Sequence, residues 1–147
     1  MKKCLIVYDS YHHGNTKKVA EAMAEVSGAE LCTTEEVPGK NLNEYELIGL
    51  GSGIAYGKHY EKLTEAAKAL NLNGKSVFVF STSGSGNKNY NNKLMEQLKE
   101  AGANITGSFI CKGYDTMILK LFGGISKGHP NEQELSAAKD FILKLVR

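Results

Sequence analysis

The chain reads as an α/β protein in which helices cover both faces of a five-stranded parallel sheet, three layers in all. Three observations predict this. Short runs of strand formers, Cys4-Leu5-Ile6-Val7-Tyr8 and Val77-Phe78-Val79-Phe80 the clearest, are apolar throughout, as strands buried on both faces are. Other stretches repeat their apolar residues at helical spacing, with Val19, Ala22, Met23 and Val26 on one face. The two kinds alternate along the chain, which is the pattern of parallel strands joined by crossover helices.

Each element follows from local residue chemistry. Lys3 to Asp9 form the first strand. Asn15 to about Ser27 form the first helix, which Gly28 stops. Glu30 to Thr33 are a short strand, and Val37-Pro38-Gly39 breaks the pattern after it. Glu44 to Gly51 are the third strand, followed by a loop from Ser52 to about Lys58. A helix from about His59 to Leu70 turns Leu63, Ala66, Ala67 and Leu70 inward. Val77 to Phe80 are the fourth strand, and Ser81 to Lys88 a loop of glycines and hydroxyls. Asn91 to Ala101 are helical, with Leu94, Met95 and Leu98 inward, and Ile105 to Cys111 are the fifth strand. Residues 113–128 show no clean period. The last helix, Asn131 to Val146, begins with an Asn131-x-x-Glu134 capping pattern behind Pro130.

Bulk properties exclude several classes. A length of 147 residues gives one domain, 1–147, with room for a substantial core. A net charge of +2 without a dense Lys/Arg stripe gives no footprint for nucleic acid. No apolar run approaches the ~20 residues of a membrane span, and the few apolar residues after Met1-Lys2-Lys3 are too short for a signal-peptide core, so the expected location is the cytoplasm. Cys4, Cys32 and Cys111 lack Cys-x-x-Cys spacing and read as buried free thiols. No metal site and no acyl-transfer set stands out.

The stretch Ser10-Tyr11-His12-His13-Gly14-Asn15-Thr16 carries the chemistry. It is a strand-to-helix turn, where free backbone N–H groups and the helix dipole make an anion site. Gly14 permits close approach or positive φ. Asn15, Thr16 and the two histidines offer side-chain donors, although helix capping alone also selects Ser, Asn and Thr. Neither the Walker pattern nor G-x-G-x-x-G is present. A phospho-receiver domain has this architecture too, but Gly51-Ser52-Gly53 stands where its acceptor Asp must be. Ser52-Gly53-Ile54-Ala55-Tyr56-Gly57 and Thr82-Ser83-Gly84-Ser85-Gly86 supply small residues, backbone amides and an aromatic, which suit a flat ring system.

The Gly14-Asn15-Thr16 ending resembles the phosphate loop of flavodoxins, with His13 where that family usually has Thr. His12-His13 and the later run 123–131 look like the small flavodoxins made of that domain alone. The resemblance implies a flavodoxin-like fold with strand order 2-1-3-4-5 and FMN as cofactor. It makes Ser10–Thr16 the phosphate loop and Ser52–Lys58 and Ser81–Lys88 the two flavin-ring loops, with Gly57 as a peptide that turns with redox state. Tyr56 is the candidate for one ring face, and Tyr90, Tyr114 or Phe122 for the other. His59 is read as starting a helix and reaching the flavin edge, and His129 as a helix-start residue. The implied activity is electron transfer between redox partners; an FMN-dependent quinone reductase or protoporphyrinogen oxidase of the same fold is the alternative. Lys58, Lys88, Lys93, Lys112, Lys120 and Lys127 outnumber Asp115 around the expected site, so the partner is expected to dock through an acidic surface. The expected state is a monomer or weak dimer.

Overall fold

The computed structural model describes residues 1–10, 14–113 and 128–147. Tyr11, His12, His13 and the candidates Tyr114 and Phe122 lie outside the described residues. The elements are β1 (Cys4–Asp9), α1 (Asn15–Ser27), β2 (Glu30–Thr33), β3 (Leu47–Ala55), β4 (Lys58–His59), α2 (Glu61–Ala69), β5 (Ser76–Ser83), α3 (Asn92–Glu100), β6 (Asn104–Lys112) and α4 (Glu132–Val146). Five strands form a parallel sheet in the order β2-β1-β3-β5-β6, and β4 pairs antiparallel with the end of β3. This is the expected five-strand order, with β4 as an added short strand. Among the described residues, no helix is long and apolar enough to cross a membrane.

Side chains alternate across a strand, so one sheet makes two cores. Leu5, Val7, Ile48, Leu50, Val77 and Val79 meet Leu63 and Ala67 of α2 and Leu94 and Leu98 of α3. Cys4, Ile6, Leu47, Phe78 and Phe80 meet Val19 and Met23 of α1 and Ala138, Ile142 and Val146 of α4. The second face needs room for two Phe rings, and β3 supplies it. A Cβ on Gly49 would lie 2.3 Å from Phe78 Cζ, and one on Gly51 would lie 2.2 Å from Phe80 Cζ. Gly51 is thus a packing residue of the strand. The three cysteines are free and buried, as expected, and burial raises the thiols of Cys4 and Cys111 to about 12 and that of Cys32 to about 11.

Several boundaries differ from the expected ones: β5 runs Ser76–Ser83, into the expected Ser81–Lys88 loop, and β3 begins at Leu47 rather than Glu44. The third strand continues through Ser52 to Ala55, then turns back into β4. The cause is the Tyr56-Gly57 pair. Tyr56 has φ 53° and Gly57 φ 76°, and positive φ at both central residues marks a type I′ hairpin turn, whose twist matches paired strands. Consequently α2 starts at Glu61, two residues after His59, which is a strand residue paired with Ile54.

Candidate functional site

The register of the sheet brings the predicted loops to one edge. Asp9 pairs with Ser52, Ser52 with Ser81, and Gly53 with Thr82, so the carboxyl ends of β1, β3 and β5 lie side by side. In such sheets ligands bind outside these ends, where the strand order reverses.

The first part of the site is the start of α1. Gly14 precedes the helix with φ 67°, no side chain caps the end, and the first turn holds no acid. The N-terminal N–H groups of the helix therefore receive no side-chain acceptor at the cap. Beside them, Ser10 Oγ is buried and has no hydrogen-bond partner among the described residues. Thr16 is fully buried, and its hydroxyl lies 2.9 Å from that of Thr82, tying the turn to the end of β5. Asn15 adjoins Gly113: a Cβ there would come within 2.6 Å of Asn15 Nδ2.

The second part is the hairpin. Ser52 and Gly53 are buried, Ile54 and Ala55 half-buried, and Tyr56 is 96% exposed at the tip. Left-handed backbone costs an L-residue about 1–2 kcal/mol, so Tyr56 combines local strain with an aromatic ring wholly open to solvent. Tyr90 stands beside the second residue of the turn, its ring 3.9 Å from where a Gly57 Cβ would be. The third part follows β5. Thr82 and Gly84 are buried, Ser83 and Gly86 half-buried, and Ser85 exposed. Ser83 Oγ accepts the Gly86 N–H at 2.9 Å, Gly86 takes φ 64°, and Ser85 Oγ donates to Tyr90 Oη at 3.3 Å.

One constellation went unread in the sequence. Ser52 Oγ lies 2.7 Å from His59 Nδ1, and His59 Nε2 lies 2.7 Å from Asn91 Oδ1. Asn91 Nδ2 donates to Ser108 Oγ at 2.9 Å and to the Phe109 carbonyl at 3.1 Å. Burial lowers the His59 imidazole to about 4, with the Asn91 hydrogen bond pulling the other way. His59 thus faces the interior as a strand residue, which corrects its reading as a helix start. Three stretches distant in sequence contribute to this chain, the 52–59 hairpin, Asn91 and residues 108–109, so spacing alone does not announce it. His129 sits before α4 as expected, with Nδ1 donating to Glu134.

Lys58, Lys88, Lys93 and Lys112 are all exposed, and none forms an ion pair among the described residues. Lys58, Lys68 and Lys93 border a groove of about 310 Å³ between α2 and α3, which Glu61, Glu65 and Tyr90 also line. Of the predicted ring loops and ring-face candidates, this groove includes Lys58, at the end of the first ring loop, and Tyr90.

A parallel sheet in the order β2-β1-β3-β5-β6, with the start of α1 and the carboxyl ends of β3 and β5 together at its switch point, is the arrangement of a flavodoxin-type protein. Comparison with known proteins bears this out. Residues 5–118 match the model of the flavodoxin domain family. An uncharacterised protein of Methanocaldococcus jannaschii is 38% identical over 148 residues, 99% of each chain. The chain belongs to the flavodoxin-domain family. Its fold superposes on oxidised flavodoxin 1 from Bacillus cereus with a TM-score of 0.70 at 21% identity, covering 98% of this chain and 97% of that one. It also superposes on a Lactobacillus acidophilus flavoprotein in complex with FMN, with a TM-score of 0.61 at 21% identity, covering 74% of this chain and 93% of that one.

Proposed function

We propose that the chain binds FMN across the carboxyl ends of β1, β3 and β5 and carries electrons between redox partner proteins. The observation that carries the reading is the open N-terminus of α1, with the buried, unpartnered hydroxyl of Ser10 beside it. A phosphate answers both, because it accepts from backbone N–H groups and a hydroxyl at once. Ser10, Gly14, Asn15 and Thr16 then hold the phosphate, joined by His12 and His13 in the same turn. The hairpin 52–57 and the segment 82–86 enclose the ring, with Tyr56 on one face and Tyr90 as the described candidate for the other. FMN, when bound, supplies one- and two-electron transfer, and the protein supplies binding, orientation and the surrounding field. That field is basic at Lys58, Lys88, Lys93 and Lys112, which favours a partner with an acidic docking surface.

The test is direct. The purified protein should be yellow, with absorbance near ~450 nm, and should release FMN rather than FAD on denaturation. A colourless protein that neither retains nor takes up FMN overturns the reading. With NAD(P)H and quinones, turnover should stay at the background of free FMN; sustained turnover would make it an oxidoreductase instead of a carrier.

A further inference from the structure

We propose that Ser52, His59 and Asn91 form a proton-operated latch at the root of the 52–59 hairpin. The charge of His59 decides whether the Ser52 hydroxyl hydrogen points at the imidazole or at the Gly53 carbonyl.

The argument is an accounting of hydrogens. Both Asn91 Nδ2 hydrogens are taken by Ser108 Oγ and the Phe109 carbonyl. Turning the amide over would set Oδ1 against the Phe109 carbonyl oxygen, two acceptors in contact, so Oδ1 faces His59. An amide oxygen only accepts, so His59 Nε2 carries a hydrogen in every state. In the neutral ring Nδ1 is therefore bare and must accept. Ser52 Oγ is its partner at 2.7 Å. Yet the same Oγ also lies 2.7 Å from the Gly53 carbonyl oxygen and accepts the Tyr60 N–H at 3.1 Å.

The hydroxyl has one hydrogen for two acceptors. With His59 neutral it serves Nδ1, and the Gly53 carbonyl goes without it. When a solvent proton adds to Nδ1, the ring donates to Ser52 Oγ, and the hydroxyl hydrogen rotates onto the Gly53 carbonyl. Every group is then satisfied: Oγ accepts from Tyr60 N–H and Nδ1–H and donates once. The proton comes from solvent, and no electron moves.

The geometry makes this more than a structural bond. Ser52 and Gly53 are the last residues of β3 that pair with β5, and His59 pairs with Ile54 on the strand that closes the hairpin. The latch thus holds the root of the loop that presents Tyr56 and Gly57. The neighbouring titratable groups are Asp9 on β1, which pairs with Ser52, Tyr60, whose N–H bonds to Ser52 Oγ and whose hydroxyl lies against Gly53, and, along the adjoining groove, Lys58 on the same strand, Glu61, Glu65 and Lys68 on α2, Tyr90 beside Asn91, and Lys93 on α3. None bonds to the imidazole, whose partners are Ser52 and Asn91. Burial and the Asn91 bond govern its proton, and they put its titration near pH 4. That separates it from an imidazole in water, which titrates near ~6.5.

The latch is tested on the chain without ligand, by NMR of the imidazole nitrogens and the Ile54 amide, whose nitrogen is bonded to the Gly53 carbonyl carbon. At pH 7 His59 should carry its hydrogen on Nε2 with Nδ1 bare. As the pH falls through about 4, the Ile54 signal should shift with the same midpoint as His59. In Ser52→Ala, His59 should still titrate while Ile54 no longer follows. The Nδ1–H tautomer in the wild type overturns the proposal without need of any variant. So does an Ile54 shift that follows His59 equally in Ser52→Ala.

The coupling of the latch to flavin rests on the FMN reading. FMN affinity measured by fluorescence quenching from pH 7 down to pH 4 should change at least about twofold at the His59 midpoint, and this step should vanish in Ser52→Ala. Identical pH profiles for the two proteins overturn the coupling. Absence of FMN binding at every pH overturns the FMN reading instead, and the ligand-free spectra still decide the latch.

Discussion

The starts of α1 and α4 are opposites. At α4, Asn131 Oδ1 accepts the Glu134 N–H at 2.9 Å and Glu134 returns the bond to the Asn131 N–H at 3.1 Å. Glu132 and Glu134 place two carboxylates in the first turn, and Glu134 also accepts from Lys112 N–H and His129. At α1 there is a left-handed glycine, no side-chain cap and no acid. Both helices pack on the same face of the sheet. Capping is worth about 1 kcal/mol, and an acid at the dipole adds 0.3–1 kcal/mol more, roughly. The chain takes this stabilisation at α4 and forgoes it at α1. On the proposed FMN reading, the phosphate is what answers this difference at the helix end by the sheet's switch point.

Substitutions can break that contrast. The largest effect is expected from Asn15→Asp, which gives α1 the acid it lacks. Unit charges ~4 Å apart near a protein surface interact by about 4 kcal/mol, so FMN should bind at least about 100-fold more weakly. The melting temperature of the ligand-free protein should hold or rise. Calorimetric titration and a thermal scan read the two changes, and unchanged affinity would remove the phosphate from α1. Thr16→Ala comes next: losing a hydrogen bond to a charged group, roughly 1.5–3 kcal/mol, should weaken FMN about tenfold or more. Riboflavin, which lacks the phosphate, should lose little; equal losses would mean that Thr16 acts only through Thr82.

At α4 the same logic runs through stability alone. Asn131→Ala should cost about 1 kcal/mol in chemical denaturation and leave FMN affinity unchanged. The smallest effect is the pH dependence of that cap. Glu134 feels burial, which raises its pKa, but bonds from His129 and the backbone N–H groups of Asn131 and Lys112 outweigh it, and the carboxyl is held below its usual value. Its contribution is therefore present above the unfolded value of about 4.3 and lost as pH falls through the lower folded one. The stability gap between wild type and Glu134→Gln should close over that acidic range. A gap as wide at pH 2.5 as at pH 7 would count against the carboxylate.

The layered fold and the Asn131 cap were legible because they rest on local signals: short continuous apolar runs, period-3.6 stripes and a cap spaced three residues from its partner. The hairpin was not. A type I′ turn usually advertises itself as Asn-Gly or Asp-Gly, whereas here Tyr56 takes the first positive-φ position and the strand reads as loop. The packing role of Gly49 and Gly51 was hidden for another reason. Their smallness answers Phe78 and Phe80 on the neighbouring strand, a pairing visible only once register is known. The Ser52–His59–Asn91 chain depends on register, a turn and a helix start together. It is a product of tertiary structure and left no mark on residue spacing.

The buried cysteines have a practical consequence. A thiol reacts as thiolate, and these three are both shielded from solvent and held two to three pH units above an ordinary cysteine by their surroundings. Cys4 lies on β1, Cys32 on β2 and Cys111 on β6, so they span the sheet from one edge strand to the other. An alkylating reagent therefore has nothing to attack until a strand leaves the sheet. The rate at which each sulfur is labelled is a clock for the opening of its own strand, and mass spectrometry can read three such clocks at once without adding a probe.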